Sequence, residues 1–167
     1  DALQSFKKTV QRHGLFDKSN KLLIAVSGGS DSTALCYICD ELGYNIGIAH
    51  INYQLRGKDS YDDAKLVEST AEGLSVPFYE KTIDCKKHAE DHQLSIQVSA
   101  RNIRYNFFDS IMAMYDYDYL LTAHHAKDNV ETMLYTLAKG ASLKGLRGIP
   151  LSRKNIRRPL LHTNKSA

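Results

Sequence analysis

Four clusters of polar residues in this chain carry the side chains able to do chemistry. The first, Ser27-Gly28-Gly29-Ser30-Asp31-Ser32, combines glycines, hydroxyls and one carboxylate. Glycine lets the backbone turn sharply and presents N–H groups to a ligand with no Cβ in the way. A helix opening just beyond adds its dipole, so the cluster suits an anion such as a phosphate. The plainer alternative is a tight strand-to-helix turn that binds nothing. The second cluster is His50, Asn52 and Arg56 within HINYQLRG, a stretch that would also serve simply to close a strand end. The third is Gln97, Arg101, Arg104 and Phe108, spaced four, three and four apart, which sets both guanidinium groups on one helix face. Planar and permanently charged, they suit phosphate or a leaving pyrophosphate, with Asp or Glu pairing as the structural alternative. The fourth is TAHHAKDNVET from Thr122, where Asp128 and Glu131 also satisfy a D-x-x-E capping box. His124 and His125, adjacent and without further Cys or His at metal spacing, make a poor zinc site.

The elements that must position these clusters follow from the apolar pattern. Leu22 to Val26 is a continuous apolar run, as expected of a strand buried on both faces. Ala34, Leu35, Ile38, Cys39 and Leu42 then recur at helical spacing, with Gly43 to end the helix. Before them, Leu3, Phe6 and Val10 predict an amphipathic helix stopping near Gly14. Ile46 to Ile51 reads as a second strand, followed by a helix bearing Ala64, Val67, Ala71 and Leu74 behind a Ser60/Asp63 capping box. Phe78 to Ile83 is a third strand. The longest helix runs from Ser95 to about Tyr115, with Ile96, Ala100, Ile103, Phe107, Ile111 and Met114 as its buried stripe. Tyr119 to Thr122 is a fourth strand, Val130 to Leu137 a last helix, and Asn155 to Arg158 a short edge strand. Strands alternating with helices predict an α/β fold, a parallel sheet of about five strands with helices on both faces. Ligands of such sheets bind outside the carboxyl ends of the strands, and the first, second and fourth clusters all fall on that edge.

The length suits one domain with a substantial core, and no apolar run reaches membrane-spanning length. Cys36, Cys39 and Cys85 are too few for a disulfide framework and suit a reducing, cytoplasmic compartment. The net charge of +3 hides an asymmetry: Lys139, Lys144, Arg147, Arg153, Lys154, Arg157, Arg158 and Lys165 end the chain without one acid among them. A basic end on an acidic body is a footprint of nucleic-acid contact, and equally of a solvated tail.

The first cluster lacks the GK[ST] ending of a Walker A loop and the GxGxxG of a dinucleotide fingerprint. It resembles instead the SGGxDS loop of the PP-loop ATP pyrophosphatases, which adenylate a substrate by splitting ATP between its α and β phosphates. That resemblance implies that Ser27, Gly28, Gly29, Ser30 and Ser32 hold phosphate oxygens while Asp31 helps hold Mg²⁺. HINYQLRG resembles the HxNHxLRG segment of the tRNA(Ile)-lysidine synthases, with Tyr53 in place of His, and makes His50 a nucleotide-binding position. SARNIRYNFF is similar to their E-x-x-AR-x-x-RY signature, with Gln97 where an acid is usual. HHAKDNVET is similar to HHxDDxxET, with Lys127 and Asn129 replacing Asp and Gln. KGASLKGLRGIP and Arg158-Pro159-Leu160-Leu161 match two further segments.

The resemblance spans about Leu22 to Leu161 and implies the N-terminal catalytic domain of that family, residues 1–161, with 162–167 beginning a linker to C-terminal domains that grip tRNA. The implied enzyme is a ligase forming a carbon–nitrogen bond while ATP is cleaved to AMP and pyrophosphate. Its substrates would be ATP·Mg²⁺, free lysine and an isoleucine tRNA with a CAU anticodon, with Asp31, Arg101, Arg104, His124 and Asp128 as catalytic positions. Two rivals stand beside it. A tRNA thiolase of the same superfamily would need catalytic cysteines near the loop, whereas Cys36 and Cys39 fall on the buried side of their helix. A module that binds ATP without chemistry would fit the altered Gln97 and Lys127.

Overall fold

The computed structural model describes residues 2–123, 152–153 and 155–160. Its elements are α1 (Ala2–His13), β1 (Lys21–Ala25), α2 (Ser30–Glu41), β2 (Asn45–Asn52), α3 (Lys58–Leu74), β3 (Phe78–Thr82), α4 (Cys85–Asp91), α5 (Ile96–Tyr115), β4 (Tyr119–Leu121), β5 (Ser152–Arg153) and β6 (Ile156–Arg157). They form one sheet in the order β3-β2-β1-β4-β6-β5. The first five strands of that order run parallel, and β5 pairs antiparallel to β6 at the edge. The expected parallel sheet of about five strands is therefore present. The segment expected as an edge strand is not the edge, because β6 pairs with β4 on one side and β5 on the other.

Period-two alternation explains both cores. Leu22 and Ile24 of β1 point to one face, where Phe6, Val10, Leu35 and Val67 of α1, α2 and α3 cover them. Leu23 points to the other, with Ala49 and Ile51 of β2, Ile103, Phe108 and Met112 of α5, and Leu120 of β4. Burial on both faces is why β1 is apolar at every position between Leu22 and Ile24.

Two local expectations need correction. The helix α3 begins at Lys58 behind Gly57 without a side-chain cap, so Ser60 and Asp63 do not form the expected capping box. Their polar atoms are engaged by Arg56 instead: its backbone N–H donates to Ser60 Oγ at 3.2 Å and its guanidinium to Asp63 Oδ2 at 2.5 Å. The buried face of α5 is Ser99, Ile103, Phe108 and Met112, whereas Ile96 and Met114 are 41% and 69% exposed. The helix is turned because it packs on two partners, the sheet and α4, whose His88 Nδ1 bonds to Ser99 Oγ. That short α4, capped by Asp84 accepting from the Lys87 N–H at 3.1 Å, lacked enough apolar period to announce itself. The last expected helix, Val130 to Leu137, lies outside the described residues.

At the edge away from the strand carboxyl ends, Tyr117 covers Gly47 of β2 and shares a 3.0 Å hydroxyl–hydroxyl hydrogen bond with Tyr79. Burial, together with that bond, pushes the Tyr117 phenol up from its usual range. A Cβ at Gly47 would lie 2.0 Å from Tyr117 Oη. Gly47→Ala is expected to lower stability by about 1–3 kcal/mol, the usual cost of overpacking a filled core. Urea unfolding followed by circular dichroism checks it, and an unchanged midpoint contradicts the packing.

Candidate active site

The carboxyl ends of β1, β2 and β4 converge on one cavity of about 440 Å³. Residues of β1 and β2, Thr122 and Ala123 just beyond β4, the segment between β2 and α3, and side chains of α2, α3 and α5 line it. At the exit of β1, Val26 keeps the sheet going for one more residue, its N–H donating to Ala49 O at 2.9 Å. The chain then leaves into Ser27–Gly29 and re-forms as α2 with Gly29 as N-cap and no side-chain cap. Hydroxyls hold this loop in shape. Ser32 Oγ accepts the Ser27 N–H at 3.2 Å and donates to Gly29 O at 3.3 Å, and Ser27 Oγ accepts the Gly29 N–H at 3.2 Å. The first N–H groups of a helix have no acceptor within it, so an uncapped start attracts an anion.

Gly28 is required twice over. Its φ is +98°, a conformation that L side chains rarely adopt, and a Cβ there would lie 2.9 Å from Asp63 Cβ and 3.0 Å from Asp63 Oδ1. Asp63 of α3 thus sits against the turn of the loop, with the largely exposed Arg56 bonded to its outer oxygen. Nothing in the sequence marked this contact, since Asp63 already had a local explanation. Its only trace was a glycine at the tip of the turn.

His50 is fully inside β2, not in the loop after it, and is only 3% exposed. Its Nδ1 lies 2.7 Å from Val26 O, while its buried Nε2 meets no partner among the described residues. Asn52, on the same strand, accepts the Gln54 N–H at 2.9 Å, so it does serve to close the strand end. Tyr53 and Phe108 form part of the wall. Burial pushes the Tyr53 phenol up from its usual range, and the positive charge of Arg104 partly opposes this.

The two arginines of α5 part company. Arg104 lines the cavity, and Arg101 does not; its guanidinium lies 5.6 Å from the ring centroid of Tyr105. Three residues on a helix rotate a side chain by about 300°, enough to put one at the rim of a cavity and the other beside it. Of the six loop residues, Ser27 and Ser32 line the cavity, and Gly28, Gly29, Ser30 and Asp31 complete the turn and the first turn of α2. His124 and Asp128 lie outside the described residues.

Among the described residues no three His, Cys, Asp or Glu side chains gather as a closed metal cage. A Mg²⁺ arriving with a nucleotide needs only one or two carboxylates beside phosphate oxygens, which Asp31 in the first turn of α2 and Asp63 against the loop can supply. Cys36 and Cys39 are wholly buried. Burial pushes the Cys36 thiol up to about 12 and raises Cys39 as well, which disfavours the thiolate that sulfur chemistry needs. The basic end is less available than its charge suggested. Arg157 donates from Nε to Leu15 O at 2.9 Å and lies 4.1 Å from the Tyr119 ring centroid, and Arg158 is buried. Both are drawn inward because β6 belongs to the sheet interior. Among the described residues no helix is long and apolar enough to cross a membrane.

The sequence matches the family described as PP-loop domain over residues 2–167. It is 39% identical over 161 residues to a tRNA(Ile)-lysidine synthase of Porphyromonas gingivalis, covering 95% of this chain and 36% of that protein. Proteins of the same name from Clostridium tetani and Petrotoga mobilis are 36% and 32% identical, with 35% and 53% of their lengths covered. The chain thus spans between about a third and a half of these curated relatives. Among solved structures, a U34-tRNA thiolase from Methanococcus maripaludis superposes with a TM-score of 0.77 at 17% identity, covering 98% of this chain and 59% of that one. An NMN synthetase from Francisella tularensis gives 0.62 at 14%, with 98% and 64% covered. At such identities these two establish the fold alone.

The contact between Gly28 and Asp63 is testable by a double-mutant cycle. Gly28→Ala is expected to cost about 1–3 kcal/mol through backbone strain and collision. In an Asp63→Gly background the colliding side chain is gone, Cβ included, and only the strain remains, so the cost should shrink. Equal costs in the two backgrounds, measured by urea unfolding, contradict the contact.

Proposed function

The chain belongs to the PP-loop domain family, and on that premise we propose that it is the ATP-splitting part of a tRNA(Ile)-lysidine synthase. The observation that carries this reading is one cavity with a serine–glycine loop and uncapped helix start on one wall and the Arg104 guanidinium on another. ATP enters with its phosphates on Ser27–Ser32. O2 of the wobble cytidine in a CAU anticodon attacks the α-phosphate, the bond from that phosphorus to the bridging oxygen breaks, and pyrophosphate leaves. The ε-amine of free lysine then adds at C2 of the activated base, loses a proton and expels AMP, giving lysidine. The barrier to the first step is charge accumulating on phosphate oxygens, so positioning and fixed positive charge supply most of the rate.

The residues divide the tasks of that scheme. Ser27, Gly28, Gly29, Ser30 and Ser32 present hydroxyls and N–H groups to the phosphates, and His50 binds the nucleotide. Asp31 holds Mg²⁺, whose charge offsets that of the phosphates when it is bound. Arg104 offsets charge on the departing pyrophosphate; Arg101, outside the cavity lining, supports its helix or meets tRNA. His124 and Asp128 contact the nucleotide or the activated base. The work takes place in the cytoplasm, where tRNA, free lysine and ATP are at hand.

Pyrophosphate release from ATP·Mg²⁺, measured with and without tRNA and lysine, tests the proposal. Release that requires the tRNA supports it, and binding of ATP without any release makes the protein a non-catalytic module. Arg104→Ala is expected to slow release on the order of tenfold or more, and Arg101→Ala much less. Equal losses overturn the division between them. Asp31→Ala should weaken ATP binding in Mg²⁺ and leave Mg²⁺-free binding unchanged; calorimetry that finds equal Mg²⁺-dependent affinities removes its metal role.

A further inference from the structure

Two arginines, Arg104 and Arg56, are in the lining of the cavity, and they come from elements on opposite faces of the sheet. Arg104 belongs to α5, whose Ile103 and Phe108 pack with Leu23 and Ala49 on one face. Arg56 precedes α3, whose Val67 and Ala71 pack with Leu22, Ile24 and Leu35 on the other. That second face is also the one onto which the serine–glycine loop leads, since α2 packs there. Arg56 is fixed at both ends. Its backbone N–H donates to Ser60 Oγ at 3.2 Å, and its carbonyl accepts the Asp59 N–H at 3.2 Å. Its guanidinium donates from one nitrogen, Nη2, to Asp63 Oδ2, and Asp63 is the residue packed against the turn at Gly28.

Two features of this pair do not follow from folding alone. The side chains are 65% and 28% exposed, and an ion pair so open to water contributes little to stability. Asp63 also sets a negative charge beside a loop whose hydroxyls and uncapped helix start suit an anion, and alone it would repel one. Arg56 accounts for both. It cancels the charge of Asp63, and a bond through Nη2 alone leaves its remaining N–H donors without partners among the described residues. A planar cation with open donors therefore stands beside the loop, the geometry that phosphate oxygens accept from. We propose that Arg56 is a phosphate-binding residue of this site, held at the serine–glycine loop by Asp63 as its positioning residue. The inference rests on the ATP reading above and adds to it a second cation, on the loop's own side of the sheet.

Arg56→Gln and Arg56→Ala each remove the charge at an exposed position. Binding of ATP and of inorganic pyrophosphate is measured calorimetrically at low salt in Mg²⁺-free buffer, so that neither ions nor a divalent metal mask Asp63. Both ligands are expected to bind either variant more weakly, on the order of tenfold, because a phosphate contact is lost and the Asp63 charge is unmasked together. Asp63→Asn added to Arg56→Gln removes that charge at nearly constant shape. The double variant should therefore bind both ligands more tightly than Arg56→Gln alone, on the order of threefold. A pair that merely clips the segment to α3 gives no such recovery, since the second substitution only loosens the clip further.

Unchanged affinity in the arginine variants overturns the assignment and leaves the ATP reading standing. A loss for ATP with none for pyrophosphate puts Arg56 away from the phosphates and overturns it too. Loss without recovery in the double variant shows that the ligand does not meet Asp63, which removes the positioning role and the assignment built on it. Wild-type protein that binds neither ATP nor pyrophosphate overturns the ATP reading and this assignment together. Either arginine variant suffices for the first comparison, so the test stands even if the other does not fold.

Discussion

The peptide of Val26 is held on both of its polar atoms. Its N–H donates to Ala49 O at 2.9 Å, and its carbonyl receives the ring of His50 at 2.7 Å. Everything at the carboxyl edge depends on this residue, because it sets the direction in which the chain leaves the sheet. A parallel strand pair ordinarily ends where its ladder ends and the chain drifts into solvent. Here a side chain from the neighbouring strand extends the grip by one carbonyl, so the turn that follows begins from a fixed point. Gly28 at +98°, the Ser32 hydroxyl beneath the turn, and the uncapped start of α2 are then consequences of geometry already decided.

Much of this was legible beforehand for a physical reason. A strand buried on both faces has to be apolar throughout, so Leu22 to Val26 announced itself, and the polar run after it could only be an edge loop. The same logic located the carboxyl end of β2. What escaped were features decided by more than one neighbour. The face of α5 was misphased because α4 covers part of it, and α4 is only seven residues long. Asp63 had an adequate role as a helix cap, and only the packed structure shows it against Gly28 with Arg56 alongside. The spacing of Arg101 and Arg104 gave a common face to two side chains that the cavity rim divides.

The same distinction applies to charge. Arg157 and Arg158 counted toward a basic terminus in sequence, where every arginine looks equally available. In the sheet, one guanidinium is committed to a backbone carbonyl and a tyrosine ring, and the other is buried. Charge density along a chain therefore overstates charge density on a surface wherever a strand intervenes. The buried cysteines make the converse point: a CxxC spacing promises reactivity, and burial withdraws it.

The bond from Arg157 to Leu15 joins positions separated by 142 residues. During synthesis from the N-terminus, α1 and the turn after it are made long before the residue that fastens this turn, which emerges 142 positions later. The β4–β6 pairing waits as well, since Leu120 must remain unpaired on that side until Ile156 arrives. Contacts of such separation are costly in loop-closure entropy and form late. On the ribosome the β3-β2-β1-β4 part of the sheet would therefore stand with an open edge beside β4 for the whole time it takes to make the next thirty-odd residues, and an open edge is where strands of other chains can pair. A nascent-chain chaperone would have its longest task at that edge.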